Sequence, residues 1–528
     1  MKRRRLKLIA TLLLPLGLGL AGCSLMRPPA QVAAPFPAQW NAPLPHGGSL
    51  ATLADWWRQL DDPLLVELIG AAEAASPNVA SAAARVAEAR STRVQAGAAL
   101  LPSLDGTASA SRGTSGFSSG APSTGSSGSS AGSTGGTGSS LSASTPVTTL
   151  QAGLQSKWEV DLFGRLRADR DAAQAKQDSA NAKWHDARVA VAAETANAYF
   201  AERACQEQLR VSESDARSRS ETSRLTELSA KAGFTAPADA ALARASASDA
   251  SGRLTQQRAT CAVQRKALVA LSGIDEPTLA QKLAAAPTQR VLPAVGSIAS
   301  VPAEAISQRP DVYAAELGVA SASADVGSAE AERYPKLTVS GNIGRSQIRV
   351  SGFRQSLETW TVGPVSLTVP LLDGGARQAN TDAAKARYTE AVSLYRANVR
   401  QAVREVEEAL VNLDATDART TDADSAVKNY QASFDATQAR YSSGLASLFE
   451  LEDSRRTLFT AQTARVSLQR ERTEAWVALY RSMGGGWNRS VDATAGVPST
   501  PVSESATSSS SESSSMTTPP AAKVATSP

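Results

Sequence analysis

Residues 388–413 read YTEAVSLYRANVRQAVREVEEALVNL, and this stretch decides the fold. Tyr388, Val392, Tyr395, Val399, Ala402, Val406, Ala409 and Leu413 recur at spacings of 4-3-4-3-4-3-4. That is a coiled-coil seam, with Arg, Glu and Asn filling the positions between. Outward from the seam, no glycine or proline occurs from Ala376 to Ser443. A second run of equal length, Arg165 to Ala232, has none either. Globular helices average about 11–12 residues, so two rods of roughly 100 Å are predicted. The return paths are shorter: Leu445–Met483 gives one helix and Ala303–Arg333 another. Their combined length nearly equals that of a long helix, so two short helices stack end to end beside each long one. Pro77 and Pro310 fall in first turns, where a missing N–H costs nothing.

The chain is duplicated. Pro310 follows Pro77 at the same interval as Pro335 follows Pro102. The interval from Gly164 to Gly374 is shorter, and it matches that from Gly233 to Gly444 to within one position. Landmarks repeating at a near-constant offset mean two copies of one unit. The change in offset places about 23 extra residues in copy one, by the same repeat logic. They fall around Gly113–Ser140, where only Phe117, Ala121, Pro122 and Ala131 are not Gly, Ser or Thr. Such a composition reads as a flexible loop.

Between the helices lie strand candidates. Leu150, Ala152, Leu154, Ser156, Trp158 and Val160 alternate with polar residues or glycine, as do Leu337, Val339, Gly341 and Ile343, and Val365, Leu367 and Val369. The candidate at Leu104–Arg112 has the weakest pattern. Period-two segments of this length fit an outer-membrane barrel or a soluble antiparallel sheet. Four strands cannot close a barrel, so a barrel would require several copies.

The N-terminus begins MKRRRLK, continues apolar from Leu8 to Ala21, and reaches Leu20-Ala21-Gly22-Cys23. A basic start, a short apolar run and small residues before the cut make a signal peptide. The formal charge is +4; removing the five basic residues of that segment leaves 49 Lys and Arg against 50 Asp and Glu. Bulk charge therefore argues against a nucleic-acid partner. Two histidines and three cysteines leave little for a metal site. No nucleophile or ligand cluster accompanies His46 or His185, so both read as surface histidines, no cofactor is expected, and the chain is not read as an enzyme.

Cys205 and Cys261 average to position 233, the glycine at the turn between them. In an antiparallel hairpin turning there, the two thiols lie at one height on adjacent helices. A disulfide is one outcome in an oxidising compartment, and two separate buried thiols the other.

Several segments together resemble a known family. They are Trp56-Trp57-Arg58-Gln59-Leu60-Asp61-Asp62-Pro63-Leu64, Gln308-Arg309-Pro310-Asp311-Val312, Val365–Gly375, Arg440–Leu445 and Ala478–Trp487. The chain is similar over residues 50 to 490 to TolC-like outer-membrane factors of tripartite efflux pumps, specifically the NodT-type lipoproteins. LAGC resembles a lipobox, which implies lipid on Cys23 and, with Ser24 following, the outer membrane.

The resemblance implies a mainly α fold with a small β part: long coiled-coil helices forming a periplasmic α-barrel, and four strands per protomer in a homotrimeric 12-stranded β-barrel. It implies passive export of drugs or other toxic small molecules, with a periplasmic adaptor and a proton-driven inner-membrane pump as partners. A type I protein-secretion duct and a non-pore structural coiled-coil lipoprotein are the alternatives. The expected organisation is signal peptide 1–22, lipid-anchored segment 23–75, first repeat 76–290 with its loop 113–140, second repeat 291–487 and disordered tail 488–528.

The resemblance also assigns a gate. The tips Gly233, Phe234 and Thr235, and Gly444, Leu445 and Ala446, are expected at the periplasmic entrance, meeting the adaptor. Tyr441, Glu450 and Asp453 match a tyrosine and two carboxylates that close the aperture, and Asp239 matches an aspartate that the tyrosine binds. Three copies of Glu450 and Asp453 around an axis would favour cations. Ala446 stands where relatives carry a gating arginine, so the gate is expected to open more readily.

Overall fold

The computed structural model describes residues 27–42, 57, 60–115, 145–286, 306–350, 353–487 and 489. In chain order its elements are α1 (Pro63–Ala75), α2 (Pro77–Ala98), β1 (Ser103–Ser115), β2 (Thr145–Val160), α3 (Arg165–Lys231) and α4 (Pro237–Ser272). There follow α5 (Glu276–Ala285), α6 (Pro310–Ala331), β3 (Lys336–Val350), β4 (Phe353–Thr368), α7 (Ala376–Ser442) and α8 (Leu448–Ser482).

The two glycine-free runs each form one helix of 67 residues. Both start in the same way. Asp161 accepts hydrogen bonds from the backbone N–H of Leu166 and Arg167 at 3.2 and 3.0 Å. Asp373 accepts from Gly375 and Arg377 at 3.0 and 3.2 Å. Each carboxylate thus satisfies amide groups that a helix start leaves unpaired, and it sits at the favourable end of the dipole. The preceding glycines, Gly164 and Gly375, adopt φ of +80° and +90°, a conformation open to glycine at little cost.

The shorter helices stack as the repeat predicts. Arg93 of α2 reaches Gln174 near the start of α3, while α4 packs lower on α3, where the two cysteines meet. In copy two, α6 lies beside the start of α7, with Lys385 ion-paired to Glu330 at 2.8 Å, and α8 lies beside its lower half, where Arg419 meets Glu471 at 2.9 Å. Two boundaries differ from the expectation. The return helix begins at Leu448 rather than Leu445, because the tip occupies Gly444–Ala446 and Ser447 caps the N–H of Glu450. Helix α6 starts at Pro310 rather than Ala303, since proline suits a first turn and Arg309 before it is held extended.

The seam of α7 is buried: Val399 and Ala402 are fully enclosed, and Tyr395, Val406, Ala409 and Leu413 nearly so. Burying a side chain such as Val399 contributes about 1.5–3 kcal/mol, which explains why a strict apolar stripe persists along this helix. The seam belongs to one core with α1, α5 and the end of α8, where the Trp57 ring meets Trp476 edge-on at 5.9 Å and Tyr480 at 4.5 Å. Within it Asp62 accepts from the Tyr199 hydroxyl at 2.7 Å, and burial together with that bond pushes the Tyr199 pKa up to about 12. His185 is half-buried against the rings of Trp184 and Trp487 rather than on the surface.

All four strands form one antiparallel sheet in the order β1-β2-β3-β4. Strand β1 is longer than its composition suggested and takes in residues 113–115 of the expected loop, because it pairs in continuous register with β2 from Ser103–Lys157 to Ser115–Thr145. Cys23, the signal peptide, residues 116–144 of the loop and the tail apart from residue 489 lie outside the described residues. The first described residues run along the helices: Arg27 pairs with Asp171 at 3.2 Å, and farther down the backbone N–H of Asn41 and Ala42 donate to Glu407 at 2.7 and 2.8 Å.

Candidate functional site: the hairpin tips and the sheet wall

Both long helices end in a left-handed glycine. Gly233 has φ +80° and Gly444 φ +73°. The N–H of Phe234 returns to the carbonyl of Ser229 at 2.9 Å, and that of Leu445 to Arg440 at 2.8 Å. This closes the last turn as a Schellman motif and reverses the chain within a few residues. Phe234, Leu445 and Phe449 are left 86%, 71% and 72% exposed, a concentration of apolar surface at one end of the molecule.

The structure brings the expected tip residues together but pairs them differently. The Tyr441 hydroxyl lies 3.2 Å from the Thr226 hydroxyl of α3, not on Asp239. Asp239 occupies the first turn of α4, where the helix dipole favours a carboxylate, and Tyr441 faces α3 instead. Glu450 and Asp453 are exposed, each beside an arginine: Arg440 lies 3.6 Å from Glu450, and Arg456 pairs with Asp453. Arg440 also donates to the carbonyl of Leu445 at 3.1 Å, so a guanidinium reaches the tip from α7 although Ala446 supplies none.

A second cluster, absent from the sequence reading, lies just above. Asp215, Arg219, Thr222 and Thr226 follow one another at helical spacing on α3. Arg219 donates to Asp215 at 2.9 Å and to Ser246 of α4 at 2.6 Å, and it pairs with Glu452 of α8. Arg253 of α4 meets the other oxygen of Asp215 at 3.1 Å. Arg455 of α8 pairs with Glu452, donates to Thr222 at 3.0 Å and lies over the Phe434 ring of α7 at 5.5 Å. Burial drives the Arg455 pKa down, and the carboxylates of Glu452 and Asp215 act against that shift. One polar cluster thus joins the four helices of both hairpins.

Cys205 and Cys261 are joined by a disulfide, with Cα atoms 5.5 Å apart. It ties α3 to α4 within the first hairpin.

At the other end, the sheet has two chemically different faces. One carries Leu104, Leu154, Trp158, Ile343, Trp360, Val362, Val365 and Leu367, all exposed. The other carries Asp105, Thr107, Gln155, Lys157, Asn342 and Thr361 beside that band, with Ile348, Phe353 and Leu357 exposed on it farther from the helices. The outer edges of β1 and β4 have no partner strand among the described residues. No described helix is long and apolar enough to cross a membrane, and no described group of acidic, histidine or cysteine side chains could hold a metal ion.

Long paired hairpins joined to a sheet with an exposed apolar band on one face are the features of an outer-membrane channel protein. The chain belongs to the outer membrane efflux protein family, whose sequence pattern its residues 68–274 and 301–485 match. It is 30% identical over 490 residues to the pyoverdine export outer membrane protein OpmQ of Pseudomonas putida, covering 90% of this chain and 97% of that one. The solvent efflux pump outer membrane protein SrpC of Pseudomonas putida is 28% identical over 497 residues, 92% and 99% of the two chains. Among solved structures, the outer-membrane channel OprN aligns with a TM-score of 0.71 at 26% identity, over 89% of this chain and 99% of its own. The Campylobacter jejuni CmeC channel aligns with a TM-score of 0.72 over 89% and 95%, and at 21% identity it bears on the fold alone. The mainly helical fold with a small sheet, the outer-membrane location and the efflux-channel class therefore agree with the expectation.

Proposed function

We propose that three copies of this chain close into a 12-stranded barrel over a tunnel of helices, forming the passive exit duct of a tripartite pump. The observation that carries this reading is the pair of sheet edges without a partner strand among the described residues, flanking a wall whose rows nearest the helices are apolar on one face and polar on the other. Unpaired strand edges cannot remain in a bilayer, and closure with identical copies satisfies every backbone group. Transport then requires no catalysis: a proton-driven inner-membrane pump supplies the work, and the duct supplies a sealed path. Pyoverdine export and solvent efflux by relatives fit small molecules as cargo.

The exposed Phe234, Leu445 and Phe449 form the surface offered to a periplasmic adaptor. Cys23 carries the lipid. Arg27, four residues later, is held against Asp171 close to the sheet, which suits an anchor in the inner leaflet. The tip closes the duct through Tyr441 and Thr226, with Asp239, Glu450 and Asp453 lining the entrance. Planar-bilayer recording of the purified protein is the test. Small cation-favouring currents that grow when the tip contacts are removed support the reading, and a membrane that stays silent for every variant sinks it.

A further inference from the structure

The cross-strand register places Arg112 of β1, Thr148 of β2, Arg349 of β3 and Arg354 of β4 in one row. Residues directly opposite in a sheet share a face, and two-residue steps keep that face. Six residues down β3, the same face carries the row Gly106, Leu154, Ile343 and Trp360, the start of the apolar band. The arginines therefore project from the lipid side of the wall, at the end away from the helices. At about 3.4 Å per residue and a tilt near 40°, they stand roughly 15 Å above that apolar row.

All three arginines are exposed, and none has a carboxylate partner among the described residues. Arg349 has one side-chain contact, donating to Gln347 at 3.0 Å. Glu358 lies two rows nearer the apolar band and faces Arg345. Like charges directly opposite, as at Arg349 and Arg354, oppose pairing unless an anion lies between them. Beneath the row is an open depression of about 680 Å³, lined on this face by Ala108, Ala110, Leu150, Ala152, Arg345 and Gln347. The small side chains of β1 and β2 create it.

We propose that Arg112, Arg349 and Arg354 bind the phosphate groups of a phosphorylated glycolipid in the outer leaflet, whose sugar rests in the depression. Guanidinium groups meet phosphate bidentately, and arginines standing above the apolar band meet head groups and their sugars rather than acyl chains. The ligand thereby fixes the height of the barrel in the membrane. This inference rests on the sheet being a barrel wall with its apolar face in lipid.

The test is native mass spectrometry of the full chain in detergent, titrated with a bis-phosphorylated glycolipid, its dephosphorylated form and inorganic phosphate. Arg112→Gln/Arg349→Gln/Arg354→Gln is compared with the wild type and with Lys157→Gln on the opposite face. The triple variant is expected to bind the phosphorylated lipid about 10-fold more weakly, a loss in keeping with charge-assisted contacts. Lys157→Gln should bind as the wild type does, and the dephosphorylated lipid weakly throughout. Equal retention by triple variant and wild type overturns the proposal, as does displacement of the lipid by equimolar inorganic phosphate. Should the triple variant not assemble, Arg354→Gln alone is read by the same criteria. Bilayer recording separates the two readings: conductance without discrimination between lipids contradicts this site only, whereas a wild type without conductance contradicts the barrel.

Discussion

Cys205 and Cys261 bridge the first hairpin, and the second hairpin has no counterpart, because the only other cysteine is Cys23. The two otherwise matching hairpins therefore differ in rigidity. One is stapled across a separation of 56 residues, while α7 and α8 are held by side-chain packing and ion pairs such as Arg419–Glu471, with no covalent link. Loop-closure entropy for that length corresponds to as much as about 4 kcal/mol. In oxidised protein, protease is expected to enter between α7 and α8 before α3 and α4, and Cys261→Ser, or reduction, is expected to lower the melting temperature and to remove that difference. Limited proteolysis with and without reductant reads this, and equal cleavage of both hairpins in oxidised protein contradicts it.

Glu452 is the shared counter-charge of Arg219 and Arg455, both buried. Glu452→Gln leaves two guanidinium groups short of a partner and is expected to cost about 3 kcal/mol, the scale for breaking a buried pair from one side. Because the cluster joins α8 to α3 and α4, the same change should raise single-channel conductance. Conductance and thermal melting are measured on one preparation; a loss of stability with unchanged conductance would confine the cluster to a structural role.

Tyr441→Phe removes one hydroxyl contact to Thr226 and is expected to cost only about 1 kcal/mol. Combined with Arg440→Gln, which removes the guanidinium between Glu450 and Leu445, it should open the entrance further than either change alone. Bilayer recordings of the two single variants and the double variant test this.

Glu202 is fully enclosed on α3 and meets Arg265 at 3.3 Å, yet desolvation outweighs its partners and raises its pKa above the ordinary carboxylate range. Below that ordinary range both folded and unfolded states are protonated. As the pH rises, the unfolded chain ionises first, so this group withdraws stability toward neutrality. Glu202→Gln should therefore melt higher than the wild type at pH 7, and the difference should vanish near pH 4. Melting curves at the two pH values decide it.

The rods and tips were legible because their signals are local. A glycine-free run with a 4-3 stripe specifies a helix length, and Gly233 and Gly444 mark where a chain of L-residues must reverse. The Leu448 start is not legible in the same way, because Leu445 and Ala446 after the turn glycine are good helix formers and only the Ser447 cap sets the boundary. The full length of β1 is not legible in its residues, because its pairing with β2, and not its own composition, makes it a strand. The Arg219–Glu452–Arg455 cluster left no trace at all. Its members come from helices far apart in the chain, and a buried arginine looks in sequence like a solvated one. The arginine row shows the same limit, since only the register places Arg112 level with Arg354.

The central claim is that β1 of one copy pairs with β4 of the next until three copies close. Cysteines introduced singly along β1, at Thr107 and Ser109, and along β4, at Gln355, Thr359 and Thr361, allow each β1–β4 combination to be oxidised in native membranes and resolved on denaturing gels. Closure predicts that at least one combination yields a covalent species of three chains and none larger. Cross-linking that stops at two chains, runs on into longer ladders, or fails for every combination would contradict it.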